Sequence, residues 1–487
     1  MGVIVLTTIQ NRNVVYYIHS VIVIAFMFGF RYLPSIAELS PIGMQALGIF
    51  LGTLYGWTFV DMMWPSLLCL LAVVLTGNGT IASVFQAGFG ANVTTMTIFI
   101  LALAAYFEQS GLTGWLANWF LSRKCNVGHP WMFVFMLLLC SFVISLFTNN
   151  LIGMIITWNI IYHIADVYGY EKRDKFITYL ICGSCMSGAF AAIAVPFQMM
   201  SVIFLNSLYS AMDIFVDNLL YTVLAMLFSF TAIFAYVGIG KFIVKPNVAP
   251  LLSMEDKFSH LRREKMDKDC KIACFVLITY LLALFLPSVL PGWGWVNILS
   301  ALGITGMAAL CLILLALSKK SNGEFYINVN QIMRSGINWN VIILLGATGP
   351  MINLLESEEA GVIDALLNWI MPIVSDISSY LCIAFIVLVL GIATQFAHNM
   401  VLGMVFIPAF APLVMSLGVS PIVLTVALCF ALQNAYATPA SSTQAAICFG
   451  NTEWVDTKET YRCMVTTSMV NLFMILFVFI PLLMIIF

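Results

Sequence analysis

Charge is what this sequence has least of: charged residues make up 9% of its 487 positions, and hydrophobic ones 62%. Soluble surfaces draw about a quarter to a third of their residues from Lys, Arg, Asp and Glu, so a water-soluble fold is excluded. Lys and Arg number 20 against 22 acidic residues, which leaves no basic excess to hold nucleic acid. Alternating segments of about ten residues, the mark of a membrane β-barrel, are missing as well. There is no Gly-rich phosphate loop, no His-Glu-x-x-His and no aspartate-rich cluster, so the common catalytic signatures are lacking. The twelve cysteines are scattered, and the one close pair, Cys182 and Cys185 in CGSCMSG, has no His or acid beside it. Such cysteines pack as small hydrophobes.

What remains is apolar sequence in runs of helical length. Crossing a hydrocarbon core takes about 20 apolar residues, and hydropathy marks spans near 14–33, 42–57, 62–76, 94–110, 174–210, 214–243, 272–290, 295–318, 339–356, 420–450 and 460–487. The expected fold is an all-α polytopic membrane protein of about eleven transmembrane helices. The first thirteen residues carry no small-residue cleavage pattern, so the first span is expected to be retained. Cationic positions fall at Arg123–Lys124, Lys172–Lys175, Lys241–Lys271, Lys319–Lys320 and Lys458–Arg462. If all of them face the cytoplasm, the N-terminus is cytoplasmic and the C-terminus extracytoplasmic.

Two further apolar segments, 130–166 and 377–416, must then leave and return on one side, the first inside and the second outside. Each carries a polar interruption, Thr148-Asn149-Asn150 in the first and Ala397-His398-Asn399 in the second. Non-helical backbone at membrane depth is tolerated only where protein or a wet cavity surrounds it, so both segments are expected to be re-entrant hairpins. Shifting the chain by 250 positions superimposes Gly111, Asn118, Trp119, Asn149, Gly153 and Met154 on Gly361, Asn368, Trp369, Asn399, Gly403 and Met404. Pro196 and Pro439 also interrupt long apolar segments at corresponding places. With one hairpin entering from each side, these are inverted repeats, and inverted repeats with broken helices mark transporters.

A proline inside a span frees a carbonyl that can hold a cation, while the half-helix N-termini turn their positive ends toward an anion. Asn and Thr side chains at the tips supply further donors and acceptors. His398 is the one ionisable side chain in either tip, which makes it a substrate donor, a proton-coupling group or a neutral packing histidine. Trp115 and Trp119 before Arg123 suit a helix lying at the inner interface, with Asn368 and Trp369 in the mirrored outer place.

These features resemble the divalent anion/sodium symporter family, which includes dicarboxylate and citrate carriers. In that family the tips usually read Ser-Asn-Thr and the breaks G-T-P-P-N or A-T-P-P-N. Here Asn149 and Asn399 keep the central asparagine, and Ala437-Thr438-Pro439 keeps the second break. Ala194-Val195-Pro196 departs from it, and Ile144 stands where a hydroxyl is expected. The resemblance implies a homodimeric elevator carrier in the plasma membrane with a di- or tricarboxylate substrate and sodium as coupling ion. It implies substrate contacts at Thr148, Asn149, Asn150, Pro196, His398, Asn399, Met400, Thr438 and Pro439. The implied sodium ligands are Thr148, Asn149, Ala194, Thr394, Ala397, Asn399 and Ala437.

The corresponding organisation is scaffold helices over 1–93, a first repeat over 94–243 with hairpin 130–166 and broken helix 174–210, and a cytoplasmic linker over 244–271. Scaffold helices follow over 272–338, then a second repeat over 339–487 with hairpin 377–416 and broken helix 420–450. No enzymatic activity is expected. Sodium-independent exchange remains open beside sodium symport, as does carriage of a different anion. A channel would instead need a continuous polar stripe, and a membrane enzyme would need a partner for His398.

Overall fold

The computed structural model describes residues 2–35, 39–123, 128–148, 150–252, 266–290, 293–320, 323–362, 365, 368 and 377–487, without the side chains of 2–13 and 121. Asn149 and Trp369 lie outside the described residues. The first half comprises α1 (Gly2–Gly29), α2 (Pro41–Phe59), α3 (Met63–Leu75), α4 (Ile81–Phe89), α5 (Asn92–Gln109), α6 (Leu112–Leu121), α7 (Pro130–Phe147), α8 (Asn150–Tyr168), α9 (Lys175–Ala191), α10 (Met199–Met212) and α11 (Asn218–Ile239). After the short α12 (Ala249–Leu252) come α13 (Lys268–Val289), α14 (Gly294–Leu317), α15 (Val329–Ser335) and α16 (Trp339–Glu356). The chain ends with α17 (Ser379–Ala393), α18 (Asn399–Ser416), α19 (Pro421–Gln433), α20 (Thr443–Gly450), α21 (Thr457–Met474) and α22 (Ile480–Ile486).

Polar residues at the segment ends start these helices by accepting from first-turn N–H groups that have no partner within the helix. Ser40 accepts from Gly43 N, Asp174 from Phe176 N, Asp217 from Leu220 N and Asp456 from Glu459 N. Between the caps the outer faces are apolar, with Phe275 70% and Leu317 73% exposed, while Thr394, Asn434 and Asn471 are fully buried. That distribution is the reverse of a soluble protein and suits a lipid surround.

Among the described residues nine helices are long and apolar enough to cross a membrane, or ten if the bent pair α4–α5 counts as one span. This differs from the eleven expected spans for a physical reason. Segments 174–210 and 420–450 are each divided into two shorter helices, α9 with α10 and α19 with α20; α2 and α3 are not among the nine and α5 counts only with α4, while the arms α7, α8 and α18 are individually long enough to count. Helix α4 was not expected. It meets α5 at 48° and lies so close to α16 that a methyl at Gly88 would run into the Gly346 carbonyl.

The repeat is visible in the element order. The pairs are α4 with α15, α5 with α16, α7 and α8 with α17 and α18, and α9 and α10 with α19 and α20. Even the π-helical turns correspond, Gly240–Val244 after α11 and Ile475–Phe479 after α21. Gly111 and Gly361 share a sequence position in the repeat because both need positive φ, 75° and 63°, where a side chain would clash.

The hairpins approach α21 from opposite ends. Tyr162, near the end of α8, stacks on Trp454 with ring centroids 4.3 Å apart and accepts from Asn451 Nδ2 at 2.8 Å, just before α21 begins. Tyr380, at the start of α17, donates to the Leu476 carbonyl at 3.0 Å. At 1.5 Å rise per residue, Leu476 lies roughly 30 Å along that helix from Thr457. The arms of the second hairpin close at its base, where Ser379 Oγ donates to Leu417 O at 3.1 Å.

Candidate functional site

In the first hairpin, α7 ends where Thr148 leaves helical geometry, and α8 begins at Asn150. Thr148 is buried and its Oγ1 donates back to Ile144 O at 2.7 Å, one turn earlier in α7. Asn150 Oδ1 accepts from Leu151 N at 3.0 Å, capping the start of α8. The arms touch at Gly153, where any side chain would collide with Ser145. Beside the tip, the break between α9 and α10 runs through Ala194 and Pro196, both buried. Gln198 closes it against the hairpin: its Nε2 donates to Leu146 O and, at 3.3 Å, to Ser145 O. Those carbonyls lie in the last turn of α7, where no helical donor remains for them.

The second hairpin turns through Thr394 to His398. Thr394 Oγ1 donates to Leu432 O at 3.2 Å. Gln395, 8% exposed, reaches from the tip into the break between α19 and α20. Its Nε2 donates to Asn434 O at 2.9 Å, Gly391 O at 3.2 Å and Ser468 Oγ at 3.3 Å, and its Oε1 accepts from Ala437 N at 3.0 Å. The backbone carbonyl of Gln395 accepts from Thr438 Oγ1. Around it, Asn434 Nδ2 donates to Ser468 O at 2.8 Å, and its Oδ1 accepts from Tyr436 and from Asn471. In such a network each polar atom left unpaired inside costs free energy, and Asn471 Oδ1 has no partner among the described residues.

The two tips converge on the end of α9. Asn399 is 2% exposed; its Oδ1 accepts from Met400 N at 2.9 Å and its Nδ2 donates to Gln433 Oε1 at 3.1 Å. Gln433 Nε2 then donates across the repeats to Ala189 O at 2.7 Å. Next to Ala189, Gly188 is so close to Asn150 of the first tip that a Cβ there would stand 3.3 Å from the Asn150 carbonyl. The hydrogen bonds Asn399 to Gln433 to Ala189 thus join the second tip to α9 through buried, uncharged groups, and the first tip stands against the neighbouring Gly188. Helix α18 also lies along α10, with Gly403 against the Phe204 ring.

Three cavities follow one face of α10. A small one of about 50 Å³ is bordered by Thr148, Asn150 and Gln198 on one side and by Thr97 of α5 and Tyr280 of α13 on the other. That is room for a few water molecules. Val202 also borders a cavity of about 360 Å³ with Pro196, Asn206, Tyr209 and Asn218, next to the kink of α14 at Gly303. This is the size that takes a small molecule. Asn206 continues into a third, of about 270 Å³, that reaches Met404 of α18.

Of the expected contact residues, Thr148, Asn150 and Pro196 border cavities, and Asn399 begins the hydrogen bonds that cross the repeats. Met400 packs into the core at 2% exposure, and Pro439 is exposed beside the second break. His398 opens α18 without capping it, and its buried Nδ1 has no partner among the described residues. Gln198 likewise opens α10 with no side-chain cap, while in α18 the Asn399 side chain takes one first-turn N–H, that of Met400. Sequence reasoning missed Gln198, Gln395, Gln433, Ser468 and Asn471; the signal available was an amide or hydroxyl inside an otherwise apolar run. Cys182 and Cys185 are fully buried, and Cys182 lies within hydrogen-bonding reach of Cys448 and Cys463. No group of His, Cys, Asp and Glu among the described residues is arranged to hold a metal ion.

No curated protein matches this chain in sequence. Among solved structures, the Alcanivorax borkumensis YdaH transporter, described as having an unusual topology, shares the fold with a TM-score of 0.58 at 15% identity. The likeness covers 83% of this chain and 86% of that one. The family described as citrate transporter matches residues 49–400, from α2 through the second tip. On that match and on the helices described above, this chain is an integral multi-pass membrane protein that belongs to the citrate transporter family.

Proposed function

We propose that the protein is a secondary active carrier of small organic anions of the di- or tricarboxylate class, in the plasma membrane. The observation that carries this reading is that each hairpin tip is hydrogen-bonded to a helix break, that Asn399 and Gln433 join the second tip to α9 of the other half, and that among the described residues no cationic side chain takes part. A carboxylate would be held by N–H groups at the starts of α8, α10 and α18 and by the neutral side chains of Thr148, Asn149, Asn150, His398, Asn399 and Thr438. Without a buried countercharge such a site binds moderately and releases, as a carrier must.

The small cavity between the first tip and helices α5 and α13 is too tight for a carboxylate of this class, so the hairpins must move relative to that wall to load. An elevator motion of the repeats (94–243 and 339–487) against the scaffold segments (1–93 and 272–338), in a homodimer, would supply that movement. Uptake of radiolabelled citrate and succinate into proteoliposomes tests the reading. Saturable accumulation of at least one is expected; none with either, under any ion gradient, would contradict it.

His398 has a place in this scheme because its buried Nδ1 has no partner among the described residues, and a bound ligand or water supplies one. Replacing it with alanine is expected to lower uptake about tenfold, the worth of one hydrogen bond at about 1.4 kcal/mol, and replacing it with glutamine is expected to restore part of that. Equal uptake by both variants and the wild type would give the histidine a packing role only. Sodium symport and sodium-independent carriage are the two coupling modes open to such a carrier, and the glutamine amides at the breaks favour the second.

A further inference from the structure

We infer that Gln198 and Gln395 occupy the places of coupling cations, so that each hairpin is tied to its break by a side-chain amide and closes without sodium. The inference uses the carrier reading above only for its uptake measurement.

At the second break, Asn434 O, Gly391 O and Ser468 Oγ are gathered around one point, from the break, the hairpin and α21 respectively. A cluster of oxygens from three elements is what a hard cation requires. Here the point is taken by Gln395 Nε2, at 2.9, 3.2 and 3.3 Å from them. The orientation of this amide is fixed by its partners, since two of the three are carbonyls that can only accept and the Ala437 N–H facing Oε1 can only donate. The side chains expected to hold sodium are engaged as well: Thr394 Oγ1 with Leu432 O, and Asn399 with Met400 N and Gln433.

The first break has the same device in mirror arrangement. There the amide comes from the break, and Gln198 Nε2 donates to the Ser145 and Leu146 carbonyls of the hairpin. Ile144 brings no hydroxyl to this side. Both arrangements present an amide N–H to the oxygens that a bound cation would need free, and at these two points the amide takes the cation's place.

The amides tie the parts together while adding no charge, which makes loading indifferent to the sodium gradient. The test compares melting of the purified full-length protein in sodium chloride and in choline chloride at equal ionic strength. The wild type is expected to melt at the same temperature in both. Gln395→Glu keeps one oxygen on the Ala437 N–H and turns the other toward the Asn434 and Gly391 carbonyls, which only accept, so that oxygen needs a proton or a cation, and sodium but not choline is expected to raise its melting temperature at pH 8. Gln198→Glu provides the same reading at the first break should the other variant fail to fold. A sodium-dependent rise in the wild type, or sodium indifference in every glutamate variant that folds, would overturn the inference. In proteoliposomes, equal carboxylate uptake with sodium or choline on both sides supports it, and uptake only with sodium contradicts it. If no carboxylate is taken up in either medium the carrier reading fails, while the melting comparison still decides the role of the amides.

Discussion

Asn399→Ala is expected to remove carboxylate uptake while the protein still melts cooperatively. The side chain joins the second tip to Gln433 and, through it, to Ala189 of the other half. Its loss leaves Gln433 Oε1 without its donor and Met400 N without its acceptor, and an orphaned buried polar group costs about 1–3 kcal/mol. Little of this falls on global stability, since the other bonds of Gln395, Asn434 and Asn471 remain. It falls instead on the geometry of α18's first turn, where the anion is proposed to sit. A penalty near the upper end corresponds to roughly 100-fold in rate, before any lost contact to the anion is counted. Uptake in proteoliposomes together with thermal melting separates the two effects. An unfolded variant would make Asn399 a structural residue, and an active one would remove it from the site.

The second large effect is expected at Gly403. Helix α18 of the second hairpin lies on α10 of the first break with no room for a methyl, because a Cβ at Gly403 would overlap the Phe204 ring. Phe204 is fully buried, so the ring has nowhere to swing, and overpacking of this kind costs about 1–3 kcal/mol or more. Gly403→Ala should therefore lower the melting temperature by several degrees in a fixed detergent. Gly114→Ala is the control: that glycine lies in α6 with nothing within 4 Å of the added atom, and helix propensity alone should leave it unchanged or slightly more stable. Combining Gly403→Ala with Phe204→Leu should recover much of the loss, since contacting residues couple. Equal melting of the two alanine variants would mean that α10 and α18 are not packed this closely.

The hairpins were the most legible part of the fold. Polar residues inside apolar runs placed the tips at 148–150 and 397–399, and the helices turn there, between α7 and α8 and between α17 and α18. The two breaks were equally plain, because Pro196 and Pro439 interrupt runs that hydropathy alone would join. Charge in the loops set the hairpins on opposite sides, and their bases do meet opposite ends of α21.

Helix α4 was not legible, because glycines around Ile81–Phe89 dilute its apolar pattern, and its bend with α5 depends on contact with α16. The glutamines were hidden for a different reason. Gln395 and Gln433 sit inside apolar runs beside the second tip and break, but an amide's role is set by its partners, and those lie 42 residues away at Ala437 and 244 residues away at Ala189. Periodicity reports which face is buried and is silent on what a buried amide bonds to. Trp369, matched to Trp119 by the repeat, lies outside the described residues. Its counterpart Trp119 carries the Arg123 guanidinium 3.4 Å from its ring centroid, a cation–ring contact at the end of α6.

The account depends on two hairpins entering the membrane from opposite faces and meeting at a common uncharged centre. The most direct measurement is sidedness of their bases, using His129→Cys before α7 and Ile377→Cys before α17, both exposed positions, on a background whose native cysteines do not react. A membrane-impermeant maleimide applied to vesicles of known orientation should label residue 129 only from the cytoplasmic face and residue 377 only from the opposite face. Labelling of both from the same face would contradict the inverted arrangement and everything inferred from it.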